Sequence, residues 1–506
     1  MVPLNRPLLV LVAEGQQAEA LAADLSQDTD LRPCCWHSEL SSHRRVEIWE
    51  QIRCQEVSLV VGTRSAVFLP FPSLGAIWME EEENAAFKEP QEPRYHARDV
   101  AWMRVQDHQA LLVLGSSHAS LETLAAGERD HSIVTISTAP ISSAEVTVVD
   151  LRQQDRAKLL SPPLLEALRE SIERKTGALL FLNRKGYAGA LICRDCGTVP
   201  RCISCLVPYT YYRQSERLAC GYCGRILSIP DTCTACGGAR LHVVGEGTER
   251  VEEAVRILFP HARIVRVDGN SMKKPAQAEA LWGRVTRREW DILVGTQLLL
   301  DDRLVPPVGL VGVVQADASL NLPDFRAAER SYHLMLDARS LAKPAAAGGR
   351  MVIQTYLPSH HAIQALAKND AALFRTEELM HRAALGYPPA LSLIALQLSS
   401  RTEKVVQAIA ELWIEMLASF TDASKTKASP ERKTQQAGSS GGLVLLGPVP
   451  PPVPKLRGRY RRQILVKADD RAQALRAIRS TVEDLEKRYP SRVVKLDVDV
   501  DPVEMW

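Results

Sequence analysis

Eight of the chain's 11 cysteines lie within one stretch, as four Cys-x-x-Cys pairs: Cys193/Cys196, Cys202/Cys205, Cys220/Cys223 and Cys233/Cys236. Each pair presents two thiolates from one tight turn, and two such pairs enclose a tetrahedral site of four soft ligands, the set that zinc favours. Eight ligands therefore predict two structural zinc ions. A disulfide framework would need an oxidising compartment, which nothing in the chain suggests. A redox dithiol needs one reactive pair, not four. Gly197, Gly224 and Gly237 follow the second cysteine of three pairs, where the turn calls for a residue tolerant of positive φ.

The scaffold that must carry these turns reads as α/β. The 506 residues suggest two to four domains. A net charge of +2 announces no global field for nucleic acid, so any basic surface is local. The apolar run Leu8 to Ala13 is too short to span a membrane and reads as a buried strand, and the chain is expected to be cytoplasmic, with no membrane partner. Strands at 8–12, 58–61, 74–79, 110–114 and 133–136 alternate with helices, as in a doubly wound parallel sheet. A second α/β unit starts near Pro162, with strands at 178–181, 263–267, 292–294, 310–314 and 351–355. The cysteine stretch then interrupts that sheet between its first and second strands. After His360 a helical stretch runs to Leu385, and the order βαββαβ follows, which suits a ferredoxin-like α+β sandwich. Residues 421–442, rich in Ser, Lys, Thr, Gln and Gly, read as a disordered loop. The expected division is 1–155, 156–358 with the insert at 190–240, and 359–506.

Several motifs carry a resemblance. Val61-Gly62-Thr63-Arg64-Ser65-Ala66, Arg94-Tyr95-His96-Ala97-Arg98-Asp99, Leu182-Asn183-Arg184-Lys185-Gly186-Tyr187 and Leu322 to Arg330 resemble the PriA family of bacterial replication restart helicases, in superfamily 2. So do the spacing of all eight cysteines, Tyr387-Pro388-Pro389, Leu456 to Arg461 and the terminal Asp499-Val500-Asp501-Pro502. The resemblance covers essentially the whole chain. It implies two RecA-like helicase lobes, the first truncated, a two-zinc insert in the second, and a C-terminal ferredoxin-like domain. It also implies the pairing of the cysteines: Cys193, Cys196, Cys233 and Cys236 on one zinc, and Cys202, Cys205, Cys220 and Cys223 on the other.

The departures from that family concern its motor. No segment matches Gly-x-x-x-x-Gly-Lys-Ser/Thr, whose amides and lysine hold phosphates. The resemblance leaves out the family's N-terminal DNA-binding domains as well. Where the family has Asp-Glu-Glu-His, this chain has Glu80-Glu81-Glu82-Glu83, four carboxylates expected to repel one another. Its Ser-Ala-Thr-Pro motif reads Ser116-Ser117-His118-Ala119, its Lys-Gly-His-Asp reads Asp301-Asp302-Arg303-Leu304, and its Gly-Arg-Ala-Gly-Arg reads Ser340-Leu341-Ala342-Lys343-Pro344. Phosphoryl transfer needs phosphate positioning, a metal and a cation at the developing charge. Binding of ATP is therefore not expected, and no catalytic residue is assigned.

Candidate DNA contacts are Arg457, Arg459, Tyr460 and Arg461, a basic cluster around one aromatic, suited to gripping a phosphate backbone and stacking a base; a solvated loop is the plainer alternative. Arg184 and Lys185, at the root of the insert, either touch DNA or shape a local turn. Arg94, His96, Arg98 and Asp99 read as fixing a helix start. Arg326 and Arg330 flank Glu329 and read as helical ion pairs. Trp36, Trp49, Cys34 and Cys35 read as core, and His242, His360 and His361 are assigned no metal. The expected function is replication restart without helicase activity. The chain would bind branched or single-stranded DNA at stalled forks and recruit primosome proteins, the replicative helicase or its loader, and single-stranded DNA-binding protein. The rivals are an active or truncated ATP-dependent 3′–5′ helicase and a zinc-dependent protein scaffold.

Overall fold

The computed structural model describes residues 6–28, 32–129, 134–136, 143–154, 159–182, 190–212, 217–244, 247–269, 271–272, 274–300, 304–420, 442–451 and 453–505. By their contacts these form two units: Met1–Thr135 with Leu393–Gln397 and Leu496–Met505, and Ile136–Ser392 with Leu398–Lys495.

In the first unit, β1 (Leu8–Leu11), α1 (Gly15–Asp28), β2 (Cys34–Trp36), α2 (Ser42–Arg53), β3 (Leu59–Gly62), β4 (Ala76–Met79), α3 (Ala97–His108), β5 (Leu111–Leu114) and α4 (Leu121–Arg129) follow one another. The strands form a parallel sheet in the order β2-β3-β1-β4-β5. β1 and β3 are continuous apolar runs, as strands covered on both faces require. Leu9, Leu11, Val60 and Ile77 pack on one face with Ile48, Phe87 and Ala101, while Val10 and Val61 pack on the other with Ala18 and Ala22. The expected strand at 133–136 does not form: Ile133 lies outside the described residues, and Val134 and Ile136 are exposed. Trp49, expected in the core, is 40% exposed and leans on Trp36 with ring centroids 6.4 Å apart. The three-residue β2 is absent from the expected strands; an edge strand that short carries almost no period.

The second unit begins with β6 (Glu145–Asp150), α5 (Pro162–Glu173) and β7 (Ala178–Phe181). The insert then supplies β8 (Ala190–Cys193), β9 (Thr210–Tyr212), β10 (Arg217–Ala219), β11 (Ile226–Ser228) and β12 (Leu241–Val244). Next come α6 (Thr248–Leu258), β13 (Ile264–Val267), α7 (Pro275–Thr286), β14 (Ile292–Gly295), β15 (Leu310–Val313), α8 (Asp317–Leu320), α9 (Ala327–Ser340) and β16 (Arg350–Thr355). The parallel sheet has the order β13-β14-β7-β15-β16-β6. β6 falls within the stretch expected to belong to the first lobe; it hydrogen-bonds along β16 instead. The insert therefore follows the second strand of this sheet, not the first. Its ends meet in the antiparallel pair β8–β12, and β11-β10-β9 form a separate three-stranded sheet.

The chain continues through α10 (His361–Lys368), α11 (Ala371–Leu385), β17 (Ser392–Ser400), α12 (Glu403–Ala418), β18 (Leu443–Val449), the two-residue β19 (Lys455–Leu456), β20 (Arg459–Ala468), α13 (Arg471–Arg488) and β21 (Lys495–Val500). The strand order β18-β20-β17-β21 is that of the expected ferredoxin-like sandwich, with β19 added beside β20. α12 and α13 meet through Trp413, whose indole donates to Thr481 Oγ1 at 2.9 Å. The loop expected at 421–442 falls almost wholly outside the described residues. No helix among the described residues is long and apolar enough to cross a membrane.

Candidate metal centre

The eight cysteines gather into two sets. Cys193, Cys196, Cys233 and Cys236 form one, and Cys202, Cys205, Cys220 and Cys223 the other, with the sulfurs of each set within 4.8 Å of one another. Within them Cys193–Cys236 and Cys196–Cys233 stand 3.7 Å apart, and Cys202–Cys223 3.4 Å. A tetrahedral cage with metal–sulfur bonds of about 2.3 Å has edges of about 3.8 Å, so the sulfurs are spaced for an ion and not for disulfides. Hydrogen bonds within the set lower the Cys202 thiol and raise Cys205 and Cys220, so the four sulfurs share their protons as one group.

Each pair sits on the same turn. The amide of the residue after the second cysteine donates back to the first cysteine's carbonyl: Gly197 to Cys193 at 2.8 Å, Gly224 to Cys220 at 3.0 Å, Gly237 to Cys233 at 2.8 Å and Leu206 to Cys202 at 2.7 Å. That turn needs a left-handed residue, and φ is +81°, +74° and +71° at the three glycines and 54° at Leu206. Amides inside the turns point at sulfur, Tyr222 to Cys220 and Ala235 to Cys233, both at 3.4 Å. At Gly197 a second constraint applies, because a Cβ there would run into the Tyr356 carbonyl.

The second cage is anchored by aromatic rings. Tyr222, between Cys220 and Cys223, is 1% exposed, and its hydroxyl accepts the Phe325 amide at 3.2 Å. Phe325 stacks on Tyr387 at 4.9 Å and 4°, and the Tyr387 hydroxyl donates to the Cys205 carbonyl at 3.2 Å. Arg382 lies over Phe325 at 5.3 Å and donates to Glu329 at 2.7 Å and Glu378 at 2.9 Å. Lys467 covers Tyr387 at 3.6 Å, and burial pushes its ammonium down to about 8. The Leu322–Arg330 and Tyr387-Pro388-Pro389 motifs thus converge on the cage. Tyr222 and Arg382 are not among the residues that sequence reasoning singles out; a tyrosine inside a Cys-x-x-Cys turn is the available signal. The ion partner of Arg330 is Asp324 at 2.9 Å, and that of Glu329 is Arg382.

The candidate DNA contacts separate. Arg457 and Gly458 form the exposed tip of the β19–β20 hairpin, both at positive φ. Lys455 sits over the Tyr460 ring at 4.3 Å. Arg459 is turned inward, donating to the Ser399 carbonyl at 2.7 Å and hydroxyl at 3.1 Å. Arg461 donates to the Val453 carbonyl at 3.4 Å. Arg184 and Lys185 lie outside the described residues.

In the first unit the acidic segment does not simply repel itself. Glu82 is buried and accepts from Arg98 at 2.7 Å, from the Ser120 amide at 2.6 Å and from Thr123 at 2.9 Å. Glu83 accepts from the Ser116 hydroxyl at 2.6 Å, and burial lifts its carboxyl to about 7. Glu80 accepts from the Trp78 indole at 2.8 Å. His96 caps α3, as expected of a helix start, by accepting the Arg98 amide at 3.2 Å. Arg94 pairs with Asp497 at 2.6 Å and Asp499 at 3.2 Å, and Lys88 with Asp499 at 2.9 Å, so the terminal acidic motif has its basic partners in this unit.

The family model of the primosomal protein N C-terminal domain matches residues 383–503. Over 98% of its length the chain is 32% identical to the replication restart protein PriA of Bacillus subtilis, of which it spans 61%. Over 93% it is 34% identical to the PriA of Treponema pallidum, of which it spans 68%. A DUF1998 helicase MrfA bound to DNA aligns over 75% of the chain and 48% of its own, at 9% identity and a TM-score of 0.41, a likeness too slight to build on.

Gly197→Ala, which meets both positive φ and the Tyr356 carbonyl, should cost more than about 2 kcal/mol. Gly237→Ala, whose Cβ would meet nothing, should cost about 1 kcal/mol. Chemical unfolding of the metal-loaded chains compares them; equal losses would contradict the assigned contact. For Glu83 the folded pKa of about 7 lies above the ordinary 4.5. Its contribution to stability is therefore complete below about pH 4.5 and lost as the pH rises through 7. Glu83→Gln should match the parent near pH 4.5 and exceed it by at most about 3 kcal/mol at pH 8, read from unfolding curves at both pH values. An unchanged pH profile would refute the buried site.

Proposed function

The chain belongs to the PriA family of replication restart proteins, and from that membership we propose that it serves replication restart in the cytoplasm as a non-hydrolytic factor. It binds branched or single-stranded DNA at stalled forks and nucleates primosome assembly there. The observation that carries this reading is the use made of the acidic segment: Glu82 is consumed by Arg98, Ser120 and Thr123, and Glu83 by Ser116. In the family the last of these positions is a histidine. Glu80 keeps a carboxylate at the position where a metal would sit, but the coupling histidine is gone, and the other motor motifs depart independently.

Each four-cysteine set holds one Zn2+, whose chemistry here is structural: it fixes two turns without a large apolar core. The insert then offers rigid turns as a platform for primosome proteins, the replicative helicase or its loader, and single-stranded DNA-binding protein. Arg457 and Tyr460 at the hairpin are the DNA contacts this reading favours, with Arg461 beside them and Arg184 and Lys185 at the insert root. Arg459, committed to Ser399, supports the hairpin from within.

The test is ATP hydrolysis by the zinc-loaded chain with and without forked DNA, with fork binding recorded across a salt series. Binding that falls steeply with salt, without stimulated hydrolysis, is the expected result. Arg457→Ala should lower the salt slope by about 1. DNA-stimulated hydrolysis would overturn the non-hydrolytic reading. Absence of both activities would reduce the chain to a zinc-dependent protein scaffold.

A further inference from the structure

α10 and α11 form an antiparallel hairpin about Asn369 and Asp370, with Asn369 in the left-handed conformation. His361 and Glu378 lie eight positions either side of that turn and so face each other, and His381 follows Glu378 by three, on the same helix face. The geometry agrees. His361 Nε2 is 2.9 Å from Glu378 Oε2, and the His381 ring stands edge-on to His361 at 5.1 Å. One ligand atom from each of the three lies within 4.8 Å of the others.

We propose that His361, Glu378 and His381 form a third metal site, for a divalent transition ion of the zinc class, separate from the two cysteine cages. Two imidazoles and one carboxylate are a borderline donor set suited to zinc, cobalt or nickel, and three protein ligands leave the remaining positions to water. Bonds of about 2.0–2.2 Å require ligand atoms about 3–3.5 Å apart, which the exposed His381 reaches by rotating its side chain. Glu378 is prepared for the role. Its other oxygen, Oε1, is held by Arg382, which fixes the carboxylate plane. Burial would raise this carboxyl, but His361 and Arg382 outweigh it and hold the group below its ordinary range, so it is ionised. His361 is braced by stacking on His360 at 4.4 Å and Phe374 at 5.6 Å. His360 itself caps α10, accepting the Ala362 amide at 3.2 Å, and is no ligand. Arg201 lies near enough to act on both Glu378 and His360, and together with Arg382 it makes the site weaker than the thiolate cages. An ion here would clamp the helix hairpin and, through Glu378, the guanidinium that covers Phe325.

The experiment counts metal on the full chain, with the cysteine cages followed separately. The protein is loaded with Co2+, treated with a mild chelator, and titrated again with Co2+. Sulfur-to-cobalt charge-transfer absorption reports the cages, and total metal analysis reports every site. The parent chain should hold three equivalents, of which one is removed by the chelator and restored without change in the charge-transfer bands. His381→Ala, an exposed substitution, and His361→Gln should each hold two, and the third equivalent should raise the melting temperature of the parent but of neither variant. Two equivalents in the parent, or a third that survives both substitutions, would overturn the site. Loss of the charge-transfer bands with the third equivalent intact would instead count against the zinc cages.

Discussion

One buried cation governs how the second unit holds together. The Arg382 guanidinium is 2% exposed and lies between the carboxylates of Glu329 on α9 and Glu378 on α11. A charge taken this far from water is stable only while both partners stay in place. Its position in turn fixes the stack of Phe325 and Tyr387, and through the Tyr387 hydroxyl the carbonyl of Cys205. Lys467 on β20 closes the other side of Tyr387. Lobe, helix hairpin, sulfur cage and C-terminal sheet therefore share one desolvated cluster, in which the loss of any member exposes the charge of another.

Much of this was legible in the sequence. Continuous apolar runs located most of the parallel strands of both sheets, because a strand covered on two faces leaves that record; the edge strands β2 and β6 were not among them. The βαββαβ order located the ferredoxin-like sandwich. Cysteine spacing gave eight ligands, and glycine after the second cysteine gave the turn; Leu206 was invisible as the fourth such residue because a leucine at positive φ breaks the rule that made the others readable. What failed were features that depend on a distant partner. β6 carries a strand's composition, but its edge position beside β16 is a property of the sheet. Arg94 finds its carboxylates at Asp497 and Asp499, some four hundred positions away, and no local pattern encodes that.

The acidic segment shows how four consecutive carboxylates can be absorbed into a fold. Four consecutive glutamates look untenable as a row of charges. The structure disperses them: Glu81, at positive φ, turns the chain, Glu82 goes inward onto Arg98, and Glu83 is driven toward its neutral form. Hydrogen bonds to Ser116, Ser120 and Thr123 replace the solvent these groups lost. A buried carboxylate without such donors would be far more costly than a histidine in the same place.

The two-stranded stem formed by β8 and β12 has a consequence of its own. It brings the first and last residues of the insert side by side, so the parent sheet experiences some fifty residues as a short closed loop, at little entropic cost. Such a cassette could be exchanged or lengthened without disturbing the strands that flank it. Tyr222 removes that independence. Its hydroxyl accepts the Phe325 amide, so the turn shared by Cys220 and Cys223 is tied to the lobe. An ion that fixed Cys220 and Cys223 would thereby brace Phe325, and its loss would be felt far from the cysteines themselves.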